Sequence, residues 1–106
     1  MIDNLEKSVL LVERMRVALP MRAFTTKNIR SVLPQDFPPE CSVTEVSYMG
    51  DEGGIACHLD FGISDTKGTY IVSITHLKFD RAHPLAREIE VYSKHRVKRL
   101  KKLHLT

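Results

Sequence analysis

The 106-residue sequence predicts an α+β fold: a two-layer sandwich in which a three-stranded antiparallel meander carries two long helices on one face, in the order α-α-β-β-β-α. Three observations predict it. Apolar residues recur at helical spacing near both ends of the chain. Three runs in the middle alternate between apolar and polar residues. Segments rich in Gly and Asp separate those runs.

The first helix is predicted over residues 3–18. Asp3 and Glu6 have the spacing of a capping box. Leu5, Val9, Val12 and Met15 make the apolar stripe, widened by Leu10, Leu11 and Leu19, and Pro20 ends the helix. A short helix is predicted between Thr25 or Thr26 as N-cap and Pro34 as stop. Prolines at 34, 38 and 39 then make residues 34–40 a loop.

The first predicted strand covers residues 42–49, with Thr44, Val46 and Tyr48 on one side and Val43, Glu45 and Ser47 on the other. The turn over residues 49–54 leads to a second strand, residues 55–61. There Ile55, Cys57, Leu59 and Phe61 oppose Ala56, His58 and Asp60. A turn over residues 64–68 leads to a third run, residues 69–79, with Tyr70, Val72 and Ile74 against Ile71, Ser73 and Thr75. Pairing Tyr48 with Ile55, Val46 with Cys57 and Thr44 with Leu59 gathers the apolar residues on one face. Pairing Phe61 with Tyr70, Leu59 with Val72 and Cys57 with Ile74 does the same, and a one-residue slip in either hairpin would undo it. After His76 the alternation shifts to Leu77 and Phe79, a sign of a bulge or twist. The last helix opens near Pro84 and runs to about Leu103, with Ala86, Ile89, Ser93, Val97 and Leu100 facing inward.

Composition bounds the function. Hydrophobic residues make up 42% and charged residues 27%, which argues against disorder and against a disulfide scaffold. The length suits one domain, residues 1–106. No apolar run approaches the length of a membrane span, and the acidic start lacks the marks of a signal peptide, so a cytoplasmic protein with no membrane contact is expected. Cys41 and Cys57 fit no metal or redox motif and read as free, packed thiols. Cys57, His58, Asp60, His76, Asp80 and His83 lack the spacing of a zinc site, so neither metal nor cofactor is expected.

The net charge of +3 conceals an asymmetry. Residues 1–53 carry −2 and residues 54–106 carry +5, and residues 91–106 hold six Lys or Arg and no acid. On the last helix Arg87, Lys94, Lys98 and Lys101 fall on one stripe, widened by Arg99 and Lys102. Such a stripe can follow phosphates and gain affinity by counterion release. Cations in the last turns also favour the helix dipole, which is the plainer use of them. The first functional expectation is a non-enzymatic binding module for RNA or another polyanion, using Arg87, Lys94, Lys98, Arg99, Lys101 and Lys102. The alternative is a protein-interaction or homo-oligomerising domain whose open sheet face, with Val43, Ala56 and Ile71, meets a partner or a second copy. A third reading takes the row Glu45, His58 and Ser73 as the acid, base and nucleophile of a small hydrolase. No catalytic residue is assigned, because an open sheet face is not a cleft.

Overall fold

The computed structural model describes residues 2–63 and 70–104. Helix α1 spans Leu5–Ala18. The Asn4 side chain caps it by accepting a hydrogen bond from the Lys7 amide at 3.0 Å, so the cap is Asn4 and not Asp3. The buried stripe of α1 is Ser8, Leu11, Val12 and Met15, while Leu5 and Val9 are exposed. The stripe is rotated from the expected one because Leu10 and Leu11 widen the pattern enough to fit two phases.

The sheet has five strands. Strand β1 is Met21–Thr25, and a single turn, α2 (Lys27–Arg30), replaces the longer second helix expected from the sequence. Strand β2 is Glu40–Tyr48, followed by the helical turn α3 (Gly50–Gly53) and strand β3 (Ile55–Asp60). Strand β4 is Tyr70–Ser73, a 3-10 turn covers Ile74–His76, and β5 is Leu77–Phe79. Helix α4 spans Ala86–His104. The predicted turn over residues 64–68 lies outside the described residues.

The strand order is β4-β3-β2-β1-β5, antiparallel throughout. The three-stranded meander is therefore only part of a larger sheet. Strands β4 and β5 lie on opposite edges, yet only the three residues of the 3-10 turn join them. The sheet must curl strongly for so short a link to reach both edges. That explains the shift in alternation at His76: one continuous run pairs first with β3 and then with β1. Ser73 caps the turn through its Oγ, which accepts from the Thr75 amide, and fully buried Ile74 plugs the curl.

A bulge in β2 corrects the expected register. Val46 pairs with Cys57 and Tyr48 with Ile55, but Val43, not Thr44, faces Leu59. One extra residue between Val43 and Glu45 changes the parity, so Val43 and Val46 both point into the core while Thr44 and Glu45 both face out. Side chains satisfy the backbone beside the bulge. The Val46 amide donates to Glu45 Oε1 at 2.9 Å, and Arg16 of α1 donates to the Val46 carbonyl at 3.1 Å. Between β3 and β4 the register is two residues from the expected one for Phe61 and Tyr70's hairpin end: Leu59 pairs with Tyr70 and Cys57 with Val72. A two-residue slip keeps every side chain on its face.

The core lies between the concave face of the sheet and the two long helices. Met15, Met21, Val43, Val46, Ile55, Cys57 and Ile74 are its largest fully buried apolar side chains. Phe37, from the proline-rich loop, closes one end by packing on Phe61 and Tyr70, with ring centroids 5.0 and 5.3 Å away. Cys41 and Cys57 are buried free thiols. Burial raises Cys41 to about 11 and Cys57 to about 12, so neither supplies a thiolate near neutral pH.

Candidate functional site

Helix α4 is locked in place by a buried ion pair. Asp3 and Arg96 are 4% and 3% exposed, and Arg96 Nη1 donates to Asp3 Oδ2 at 3.0 Å. The same oxygen accepts from the Tyr92 hydroxyl at 2.7 Å and the Tyr48 hydroxyl at 3.2 Å. Arg96 also donates to the carbonyl oxygens of Asp51 and Glu52 in α3. Asp51 in turn accepts from the amides of Ile2 and Asp3 at 2.8 Å each, and these bonds hold its carboxyl below the usual range. Burial, together with the nearby Asp3 carboxylate, pushes both tyrosine hydroxyls upward. Oδ1 of Asp3 is buried and has no hydrogen-bond partner among the described residues.

This cluster ties together three segments far apart in sequence: the N-terminal residues, the β2–β3 connection and α4. It requires Gly54. That residue sits at φ +67°, and a Cβ there would lie 2.6 Å from Arg96 Nε and 2.9 Å from the Tyr92 hydroxyl oxygen. By charge alone Arg96 belongs with the six cations of residues 91–106, yet it lies inside. A signal for this exists in the sequence: Arg96 stands seven residues from Ile89 and four from Leu100, on the apolar stripe of the helix.

With Arg96 withdrawn into the core, the other cations of α4 face solvent. Arg87, Lys94, Lys98, Arg99, Lys101 and Lys102 are all exposed. Arg87, Lys94, Lys98 and Lys101 run along the side opposite buried Ile89 and Arg96, as the spacing requires. One acid interrupts the stripe. Glu90 pairs with Lys94 at 2.7 Å and lies near Arg81 and Arg87, and Lys94 foremost, then these two, hold its carboxyl below the usual range. Among the described residues no salt bridge engages Lys98, Lys101 or Lys102.

Helices α1 and α4 run antiparallel, because Asp3 meets Arg96 at one end and Arg14 meets Glu88 at 2.7 Å near the other. A cleft of about 910 Å³ lies between them. Leu10 and Val91 stand on its two banks, with Lys7, Arg14, Arg87 and His95 along its rim. Helix α4 continues for about two turns past the start of α1, and those turns carry Lys98, Lys101 and Lys102.

The sheet-based expectations fare differently. Glu45 does pair with His58 across the strands, but its carboxylate is engaged by Arg16 and the Val46 amide. Ser73 pairs with Ala56, not His58, and its hydroxyl is hydrogen-bonded to Thr75 at 2.9 Å. The row Glu45, His58 and Ser73 is therefore not assembled. The open sheet face also lacks the expected apolar patch. Val43 is fully buried, Ala56 is 6% exposed, and Ile71 alone of the three is exposed. The bulge in β2 turns Val43 inward. Among the described residues, no group of three or more His, Cys, Asp or Glu is placed to hold a metal ion. Among them, too, no helix is long and apolar enough to cross a membrane.

No protein-family model, no curated protein and no solved structure matches the chain.

Proposed function

We propose that the protein is a binding module for a polyanion, with RNA the favoured ligand, and that it works through the exposed face of α4. The observation that carries this reading is the end of that helix. Lys98, Lys101 and Lys102 are exposed there, beyond the reach of α1, and no acid follows Glu90 in the sequence. Arg87 and Lys94 extend the stripe toward the start of the helix, with Arg99 on its flank.

Lysines on a helix face supply point charges rather than bidentate readers of bases, so contact is with phosphates and depends little on sequence. The aromatic residue of α4, Tyr92, is turned into the buried cluster and offers no platform for base stacking. Affinity then comes mainly from counterion release and falls steeply with salt. The test is titration of labelled RNA at about 50 and about 200 mM salt, across which a protein making several phosphate contacts loses on the order of tenfold or more in affinity. Absence of binding even at the lower salt would overturn the reading.

A further inference from the structure

The outer faces of α1 and α4 both carry mixed charge, with Lys7 and Arg14 on α1 and Glu88 and Glu90 on α4, and within that mixture acids of α1 match cations of α4 in position. On α1 the exposed side presents Glu6 and Glu13, about two helical turns apart, with exposed Leu10 between them. On α4 it presents Arg87 and Lys94, also about two turns apart, with exposed Val91 between them. The two helices lie side by side and antiparallel, in a register set by Asp3–Arg96 and Arg14–Glu88. In that register Glu6 is level with Lys94, Leu10 with Val91 and Glu13 with Arg87.

We propose that this helical layer is the interface of a two-fold homodimer. A two-fold axis along the midline of the cleft, parallel to the helices, places α1 of the second copy over α4 of the first, antiparallel to it. Such an axis permits no sliding along the helices, so the register within one chain becomes the register between chains. Glu6 then faces Lys94 of the partner subunit, and Glu13 faces the partner's Arg87, each pair occurring twice. Leu10 and Val91 border the cleft, so the axis brings both copies of each together and fills it. Lys94 has donors to spare beyond its bond to Glu90.

Self-association through this layer is favoured over a purely acidic or purely basic partner, because each copy presents both signs. The patch is small. Two helices covering roughly 20 by 20 Å bury about 400 Å² per subunit, half the usual size of a stable interface. The dimer is therefore expected to be a weak one, populated only in a concentrated solution, and it weakens further as salt screens the pairs. It leaves the last two turns of both α4 helices uncovered and projecting from the same end. If α4 binds polyanions as proposed above, dimerisation presents two basic ends side by side. The dimer itself does not rest on that reading.

The experiment is sedimentation velocity on the full chain over a concentration series, at about 20 and about 500 mM salt. The wild-type chain is expected to dimerise at low salt and to dissociate at high salt. The variants E6K/E13K and R87E/K94E, checked for folding by circular dichroism, should each stay monomeric, at least tenfold weaker than wild type. Mixed in equal amounts they should form a heterodimer, because the reversed α1 of one then meets the reversed α4 of the other, and the remaining pair is native. Val91→Glu, at a site 62% exposed, provides an independent variant that should also be monomeric. A wild-type monomer at all concentrations overturns the proposal. So do variants that dimerise as wild type does, which would place the interface on another surface such as a sheet edge, and a mixture without rescue. RNA titration of the monomeric Val91→Glu variant, which keeps every cation of α4, reads the polyanion proposal separately.

Discussion

Asp3 and Arg96 show how a single buried pair organises distant residues. A carboxylate and a guanidinium taken out of water destabilise the fold unless each is well bonded. Here three donors converge on one Asp3 oxygen, and two carbonyls of α3 take further donors of Arg96. Asp3→Asn and Arg96→Met should each cost about 3–5 kcal/mol in urea unfolding, because either leaves a buried charge without its partner. The double variant should be less destabilised than the sum of the two, which a double-mutant cycle reads directly. Asp51 makes a second, pH-dependent contribution. Its folded carboxyl titrates below its unfolded value because the Asp3 and Ile2 amides bond the ionised form. The stabilisation it gives is present above the unfolded pKa and is lost as pH falls through the folded one. Unfolding free energy should decline below about pH 4, and Asp51→Asn should flatten that acid limb; an unchanged limb would discount the bond. The position of Arg96 on the apolar stripe is legible in the sequence, but the cluster it joins is not, for a physical reason. Charge is counted along the chain, and an Arg on an apolar stripe can be recognised as buried only once a carboxylate from elsewhere is known to meet it.

At the level of elements, legibility follows the length of the pattern. The two long helices and the β2–β3 hairpin repeat their signal over many residues, and their type is readable. Strands β1 and β5 are five and three residues long, too short for alternation to be told from chance, and only the curl of the sheet gives them partners. The bulge in β2 is illegible because an inserted residue changes side-chain parity without leaving a mark in composition. That one residue decides the functional reading of the sheet, since it buries Val43 and withdraws the apolar patch. Two element-level predictions come from the way α4 is held. Gly54→Ala should destabilise the protein by about 2–4 kcal/mol, because the new methyl meets Arg96 and Tyr92 at a positive φ. Arg14→Ala should cost no more than about 1 kcal/mol, although Arg14–Glu88 also joins α1 to α4, because both side chains of that pair are about half exposed and water screens them. Thermal or urea unfolding of the two variants tests the contrast; similar losses would mean that the surface pair, not the buried cluster, anchors the helix.

Across the whole molecule, folding redistributes the charge that the sequence divides into −2 and +5. Two pairs cross between the halves in opposite senses: Asp3 takes Arg96, and Glu88 takes Arg14, so together they leave the imbalance unchanged. Arg16 and Arg22 find Glu45 and Glu40 within the acidic half itself. What is left over is concentrated at the far end of α4, where the helix outruns α1 and Lys98, Lys101 and Lys102 stand in solvent. The three are ill suited to a purely structural role. They lie on the side of α4 away from the core, and favouring the helix dipole is worth only about 0.3–1 kcal/mol per cation. K98Q/K101Q/K102Q should therefore shift unfolding free energy by no more than about 3 kcal/mol in total. Its effect on polyanion binding should be much larger. Every lysine–phosphate pair abolished takes about 0.7–0.9 from the slope of log K against log salt, so the triple variant should flatten the slope by about 2 to 3 if all three lysines engage phosphates. Because phosphate pairing carries no base identity, the weakening should be nearly the same for RNAs of unrelated sequence. A triple variant whose salt slope equals that of the wild type would separate the binding surface from this helix end and leave the lysines as solubilising charge alone.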